Sequence, residues 1–272
     1  MNEMSDNDIL TEIYRDQMYN LLQRQERGDG RALDEYREIS IETGVLERAE
    51  GSAIVTIGDS KVAVGIKMQP GEPFPDTPDV GVIITNAELI PLASPTFESG
   101  PPGEVAVELA RVVDRGVRES KAIDLKKLCL VEGEKVWLIF IDIHMLDHGG
   151  NLLDAASLGA IAALLTTKIP NKQYDLAEED EPLPIVDIPV AVSMIELEGN
   201  LLVDPDHIEE AVASTQLTII SNRDGTLSGM QKMGSGPISL ELLEKAVELG
   251  IRKGQEIREK YLYPLMNEIP RL

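Results

Sequence analysis

One cysteine, Cys129, stands in 272 residues. It cannot form an internal disulfide and cannot build a thiolate metal cluster, as expected of a chain kept in a reducing cytoplasm. Three histidines, His144, His148 and His207, lie far apart in sequence without metal-ligand spacing, so neither a metal nor a cofactor is expected. Aromatic residues are only 4%, which argues against broad base-stacking platforms. Basic residues are also scarce, 25 against 48 acidic, for a formal charge of −23. Such a charge repels free nucleic acid at long range, so any RNA contact needs a local patch or a more basic partner. No segment approaches the ~20 apolar residues of a membrane span. The first ten residues, Met1 to Leu10, are acidic and lack an apolar signal core. There is no phosphate-loop lysine motif, no GxGxxG after a strand and no GxSxG elbow.

Apolar residues make up 43% of the chain, enough for a sizeable core as one large domain or two smaller halves. Leu10, Ile13, Met18, Leu21 and Leu22 recur at helical intervals and predict a helix over 7–23. Ser52–Ile57 and Val62–Ile66 flank Gly58-Asp59-Ser60 as a hairpin, and Val82–Leu89 reads as a further strand. Two proline-rich loops, 70–78 and 91–103, surround it. Val136–Leu146 is a nearly continuous apolar run, read as a strand buried on both faces, with His144 inside the core. Asn151 is placed to cap an Ala- and Leu-rich helix over 152–167. Tyr174–Pro184 is an acidic loop and the best internal boundary.

A similar plan follows. Val190–Glu196 and Leu201–Val203 turn at Gly199-Asn200, and Gln216–Ile220 and Leu227–Met233 turn at Arg223-Asp224-Gly225. Ser239 caps a closing helix to about Tyr261, with Leu243, Val247, Gly250, Gly254 and Ile257 as its core stripe. Arg258 and Lys260 near its end suit the helix dipole. The class is α+β, built from two similar halves of mixed sheet and helices. The expected divisions are a lead-in over 1–30, a first half over 31–180 and a second half over 181–272.

Three features point toward chemistry. The segment Gly103–Ser120 reads as a helix with Ala106, Ala110, Val113 and Val117 on one face and Arg111, Arg115 and Arg118 on the other. The arginines are either a salt-bridged surface, through Glu108–Arg111 and Asp114–Arg118, or an anion site, since guanidiniums match phosphate oxygens. The glycines of Asp147-His-Gly-Gly-Asn151 either make only a tight turn or offer amides to an anion. Asp204, Asp206, Glu209 and Glu210 read as a solvated turn and helix start.

Taken together, Arg27-Gly-Asp-Gly-Arg31, Glu35-Tyr-Arg37, the stretches 91–102 and 108–115, and Leu146–Ala155 resemble the RNase PH family. Within it they resemble the non-catalytic subunit type of the archaeal exosome, along nearly the whole chain. The resemblance implies a first half like domain 2 of ribosomal protein S5, followed by an RNase PH C-terminal half. It implies a ring in which three copies alternate with three copies of a catalytic sister, under a cap of RNA-binding subunits. Phosphate attacks the 3′-terminal phosphodiester of single-stranded RNA and releases nucleoside diphosphates. Catalytic sisters carry two aspartates about six residues apart, where this chain has Glu210 and Gln216. Sisters also bind phosphate through a Ser or Thr and an Arg after the glycines, where this chain reads Gly149-Gly150-Asn151-Leu152. No catalytic residue is therefore expected here. Arg111 and Arg115 are expected to line the RNA path, with Arg118 left to Asp114. The alternatives are a self-sufficient phosphorolytic ribonuclease and an anion-binding scaffold without RNA.

Overall fold

Alternating apolar residues build two sheets, and the helices pack against them. In a computed structural model, residues 6–266 are described, with side chains from residue 12 onward. The first five residues of the acidic N-terminal segment and residues 267–272 lie outside the described residues. Helix α1 spans Asp6–Leu22. Strands β1 (Ile39–Thr43), β2 (Gly51–Ile57), β3 (Ser60–Gly71) and β4 (Val82–Leu89) follow. Helix α2 spans Glu104–Glu119, and strands β5 (Cys129–Val131) and β6 (Lys135–Asp147) lead to helix α3 (Leu152–Leu165). The short strands β7 (Lys168–Ile169) and β8 (Glu181–Pro182) pair with each other and tie back the acidic loop.

The second sheet comprises β9 (Val190–Leu197), β10 (Asn200–Val203), β11 (Thr215–Ser221) and β12 (Leu227–Met233). Helix α4 (His207–Val212) lies between its two hairpins, and α5 (Leu240–Ile257) closes the half. The first sheet runs β1-β2-β3-β6-β4 with β5 beside β6, and the second runs β10-β9-β11-β12. The β4 and β6 strands are parallel, with α2 in the crossover between them. This is the expected α+β class, with hairpins and helices in each half. One apolar cluster joins both halves through α2, α3 and α5, including Val113, Ala160, Ile219 and Ala246.

Three expectations change. β6 is not buried on both faces: Ile139, Ile141, Ile143 and Met145 are buried, while Leu138, Phe140, Asp142 and His144 are only half-buried. Helices α2 and α3 cover one face of the sheet, and side chains alternate along a strand. His144 therefore stands on the open face, its Nδ1 3.4 Å from Glu88. Arg258 is not a solvated partner of a helix dipole. It is buried, and donates from Nε to the Ile188 carbonyl at 2.8 Å and from Nη2 to Ser221 Oγ at 2.8 Å. Helix α5 reaches this strand because Gly250 and Gly254 leave room for it. A Cβ on Gly250 would lie 2.7 Å from that of Ile219.

The third change concerns the acidic cluster. Asp204 and Glu209 are buried, not solvated. Arginines from the segment between α1 and β1 reach them across the fold: Arg27 Nε donates to Glu209 Oε1 at 2.9 Å, and Arg37 Nε to Asp204 Oδ2 at 2.8 Å. Paired and hydrogen-bonded, these carboxylates tolerate burial that would be prohibitive for isolated ions.

Candidate RNA-contact helix and closed anion site

Helix α2 is held by Ala106, Leu109, Ala110, Val113 and Val117, all buried. Its entry is stiffened by Pro101-Pro102, and no side chain caps Gly103. The opposite face presents the three arginines, and the structure separates them. Arg118 grips Asp114 through Nε at 3.0 Å and Nη2 at 2.9 Å, and Nη2 also reaches the Ile83 carbonyl on β4 at 3.1 Å. It is paired with Asp114, as expected. Glu108 does not pair with Arg111; its Oε1 accepts from Gln231 Nε2 of β12 at 2.9 Å. Arg111 and Arg115 are exposed, and among the described residues neither has a carboxylate within 4.0 Å. They line a groove of about 460 Å3 with Pro102, Val107, Glu108 and Gln231. Two unpaired guanidiniums one helical turn apart suit the phosphates of a single strand.

The glycine turn before α3 reads differently. Gly149 N–H donates to Ser60 Oγ at 3.0 Å, Gly150 N–H to His148 Nδ1 at 3.3 Å, and Asn151 N–H to Glu210 Oε1 at 2.9 Å. All three amides are occupied from within the chain, so the turn does not offer an open anion nest. The glycines serve close packing. Gly150 has φ +95°, and a Cβ there would lie 2.5 Å from the Asp206 carbonyl carbon; one on Gly149 would lie 2.7 Å from that of Asp59. Asn151 Nδ2 then bridges Asp154 at 2.9 Å and Asp204 at 2.7 Å.

The electrostatics follow from this packing. Burial alone would raise Asp204, but hydrogen bonds and charge from Arg37 overcome it and hold this carboxyl below the usual range. Asp154 is pushed up to about 6 by burial, against hydrogen bonds from Ser193, Tyr36 and Asn151. Glu210 is pushed up to about 7 by burial, against the Asn151 amide, the Arg37 charge and Gln216. His148 is lowered by burial, then by His207 and Arg37.

Glu210 and Gln216 meet across a cavity of about 220 Å3, with Gln216 Nε2 3.4 Å from Glu210 Oε1. Phe97 and His148 also line it, stacked with centroids 5.3 Å apart at 19°. The Arg37 guanidinium, whose charge acts on Glu210, is tied to Asp204 and to the carbonyls of Gly149 and Gly150. The arrangement has one carboxyl of raised pKa and one amide and, among the described residues, no Lys or Arg in its lining. The amide cannot act as an acid or base. Among the described residues, no group of three or more His, Cys, Asp or Glu could hold a metal. Sequence reasoning missed the Phe97–His148 pair and the Arg37–Asp204 pair. The one signal for the latter was two opposite-charge clusters, at 27–37 and 204–210.

The family model described as 3′ exoribonuclease family, domain 1, matches residues 35–170, and that for domain 2 matches residues 187–253. The chain belongs to this 3′ exoribonuclease family. "Exosome complex component Rrp42" of Methanocella arvoryzae is 59% identical over 93% of this chain and 97% of its own. The protein of that name from Archaeoglobus fulgidus is 53% identical over 93% of this chain and 98% of its own. A solved structure described as the Archaeoglobus fulgidus exosome with RNA bound to the active site matches with a TM-score of 0.90 and 53% identity. It covers 93% of this chain and 100% of that one. An archaeal exosome core matches with a TM-score of 0.87 at 49% identity, covering 94% and 99%. The RNase PH-like architecture expected from the motifs is therefore the one observed. Among the described residues, no helix of this family member is long and apolar enough to cross a membrane.

Proposed function

We propose that this chain is a non-catalytic ring subunit of an archaeal exosome, a phosphorolytic 3′→5′ exoribonuclease, working in the cytoplasm. It alternates with a catalytic RNase PH-like sister beneath RNA-binding cap subunits. The observation that carries the reading is a contrast within one structure. Arg111 and Arg115 are exposed with no carboxylate within 4.0 Å among the described residues, while every amide of the glycine turn is taken from inside. The chain can guide a phosphate backbone but has no place for the phosphate nucleophile. Relatives named as exosome components, and a similar solved exosome with RNA bound, support the assignment.

In this mechanism Arg111 and Arg115 hold two phosphates of the single strand and feed its 3′ end to the sister. Phosphate attacks there, on the sister's residues. Contacts of this kind are independent of sequence and weaken with salt. A self-sufficient ribonuclease is not favoured, because Gln216 cannot transfer a proton and Arg37 is spent on Asp204. The test is RNA binding by the assembled ring carrying Arg111→Glu and Arg115→Glu. The ring should form and bind RNA more weakly. Unchanged affinity across salt concentrations would defeat the assignment.

A further inference from the structure

The cavity beneath the start of α2 is not explained by guiding a phosphate backbone. It has about 220 Å3, below the ~300–1,000 Å3 range of pockets for drug-sized ligands, so it selects something smaller. Leu152 and Met233 give it an apolar body. Phe97 and His148 give it a stacked ring pair. Phe97 is one of only three phenylalanines in the chain, and it stands here. His148 is neutral at pH 7, since burial lowers its pKa, and Gly150 N–H donates to its Nδ1. Neutral, it stacks as an uncharged heterocycle.

The polar groups are few and close together. Glu210 Oε1 accepts from Asn151 N–H and Gln216 Nε2, whereas Glu210 Oε2 and Gln216 Oε1 make no hydrogen bond among the described residues. The carboxyl and amide together present donor and acceptor positions on one side of an apolar, ring-lined space. A small planar heterocycle with a hydrogen-bonding edge fits that pattern: the outer face of the stacked ring pair for one of its faces, amide and carboxyl for its edge. Sugar or free phosphate does not, because the lining is mostly apolar and, among the described residues, holds no Lys or Arg.

Position narrows the class. Glu108 and Val112 line both this cavity and the groove that carries Arg111 and Arg115. A strand whose phosphates rest on those arginines runs past the cavity mouth. We propose that this cavity binds a nucleobase, stacked on the outer face of the Phe97–His148 pair and read at its edge by Gln216 and Glu210. For a base belonging to the RNA strand, the inference rests on the function proposed above. A free nucleotide offers the same chemistry from another source.

The test has two arms. In the first, the full chain with carbon-13-labelled methionine methyls is titrated with adenosine and uridine monophosphates. The Met233 methyl should shift saturably, and the shift should vanish in Gln216→Leu, with the other methionine signals showing that the variant is folded. In the second, the assembled ring carrying Phe97→Ala, with Arg111 and Arg115 intact, is titrated with single-stranded RNA. Loss of one stacked base should weaken binding by roughly 5- to 150-fold, from ~1–3 kcal/mol per base. A shift in the first arm without a change in the second identifies a free nucleotide as the source; changes in both identify the RNA strand. No Met233 shift together with unaltered RNA affinity for Phe97→Ala overturns the proposal. In that event a loss of affinity in Arg111→Glu with Arg115→Glu leaves the ring-subunit function standing, and no loss there removes that function instead.

Discussion

Replacing Glu210 by Gln should stabilise the chain, and by more as pH rises. Glu210 is a carboxyl in an apolar cavity, pushed up from the usual 4.5 to about 7. Between those values the folded chain holds a proton that the unfolded chain releases. Unfolding in that window frees a proton, so stability falls as pH climbs from about 4.5 to about 7 and stays lower above it. At about 1.4 kcal/mol per tenfold change in proton affinity, the ceiling on this loss is about 3.5 kcal/mol. Gln keeps an oxygen to accept the Asn151 amide and carries no charge to desolvate. Asp154 titrates in the same range, to about 6, but is present in both proteins and cancels in the difference. Thermal unfolding from pH 5 to pH 8 measures it. Glu210→Gln should match the parent near pH 5 and melt roughly 5–10 °C higher at pH 8. A difference that stays constant with pH, or a variant less stable at pH 8, would show that Glu210 is not a buried acid at this helix start.

Arg111→Glu with Arg115→Glu should lower the salt dependence of RNA binding by the ring by about 1.4 in the log–log slope, from ~0.7 per lost phosphate contact, as fluorescence anisotropy over a salt series will read. Arg118→Ala should leave RNA affinity within about twofold, because Asp114 and the Ile83 carbonyl already hold that side chain; a loss equal to that of the other arginines contradicts the separation. Glu209→Gln strands Arg27 in a buried site and should cost about 3–5 kcal/mol in denaturant unfolding. A cost under about 1 kcal/mol would show the pair to be solvated.

Periodicity made much of this fold legible. Ala106, Ala110, Val113 and Val117 predict the buried stripe of α2, and Val82–Leu89 is a strand to the residue. β1 is not legible in the sequence, because Ile39-Ser-Ile-Glu-Thr43 is short and mostly polar. The faces of β6 were misread because Leu138 and Phe140 are apolar although half-buried, and a continuous apolar run carries no alternation to show which side is covered. For the site, the expectation that no catalytic residue is present came from the resemblance, which places Glu210 and Gln216 where catalytic sisters carry aspartates. The self-occupied glycine turn was not legible, because Asn151 and Glu210 are joined only by the fold. Charge pattern likewise offered Glu108 to Arg111, while the structure gives it to Gln231 on β12, a partner from the other half of the chain.

Phosphate-dependent shortening of a 5′-labelled single-stranded RNA tests the central claim most directly. It is measured with this chain alone, with the catalytic sister alone and with the two together. Activity only in the mixture, or far greater there, is what a subunit that completes the RNA path without a site of its own predicts. Comparable shortening by this chain alone, abolished by Glu210→Ala, would contradict it.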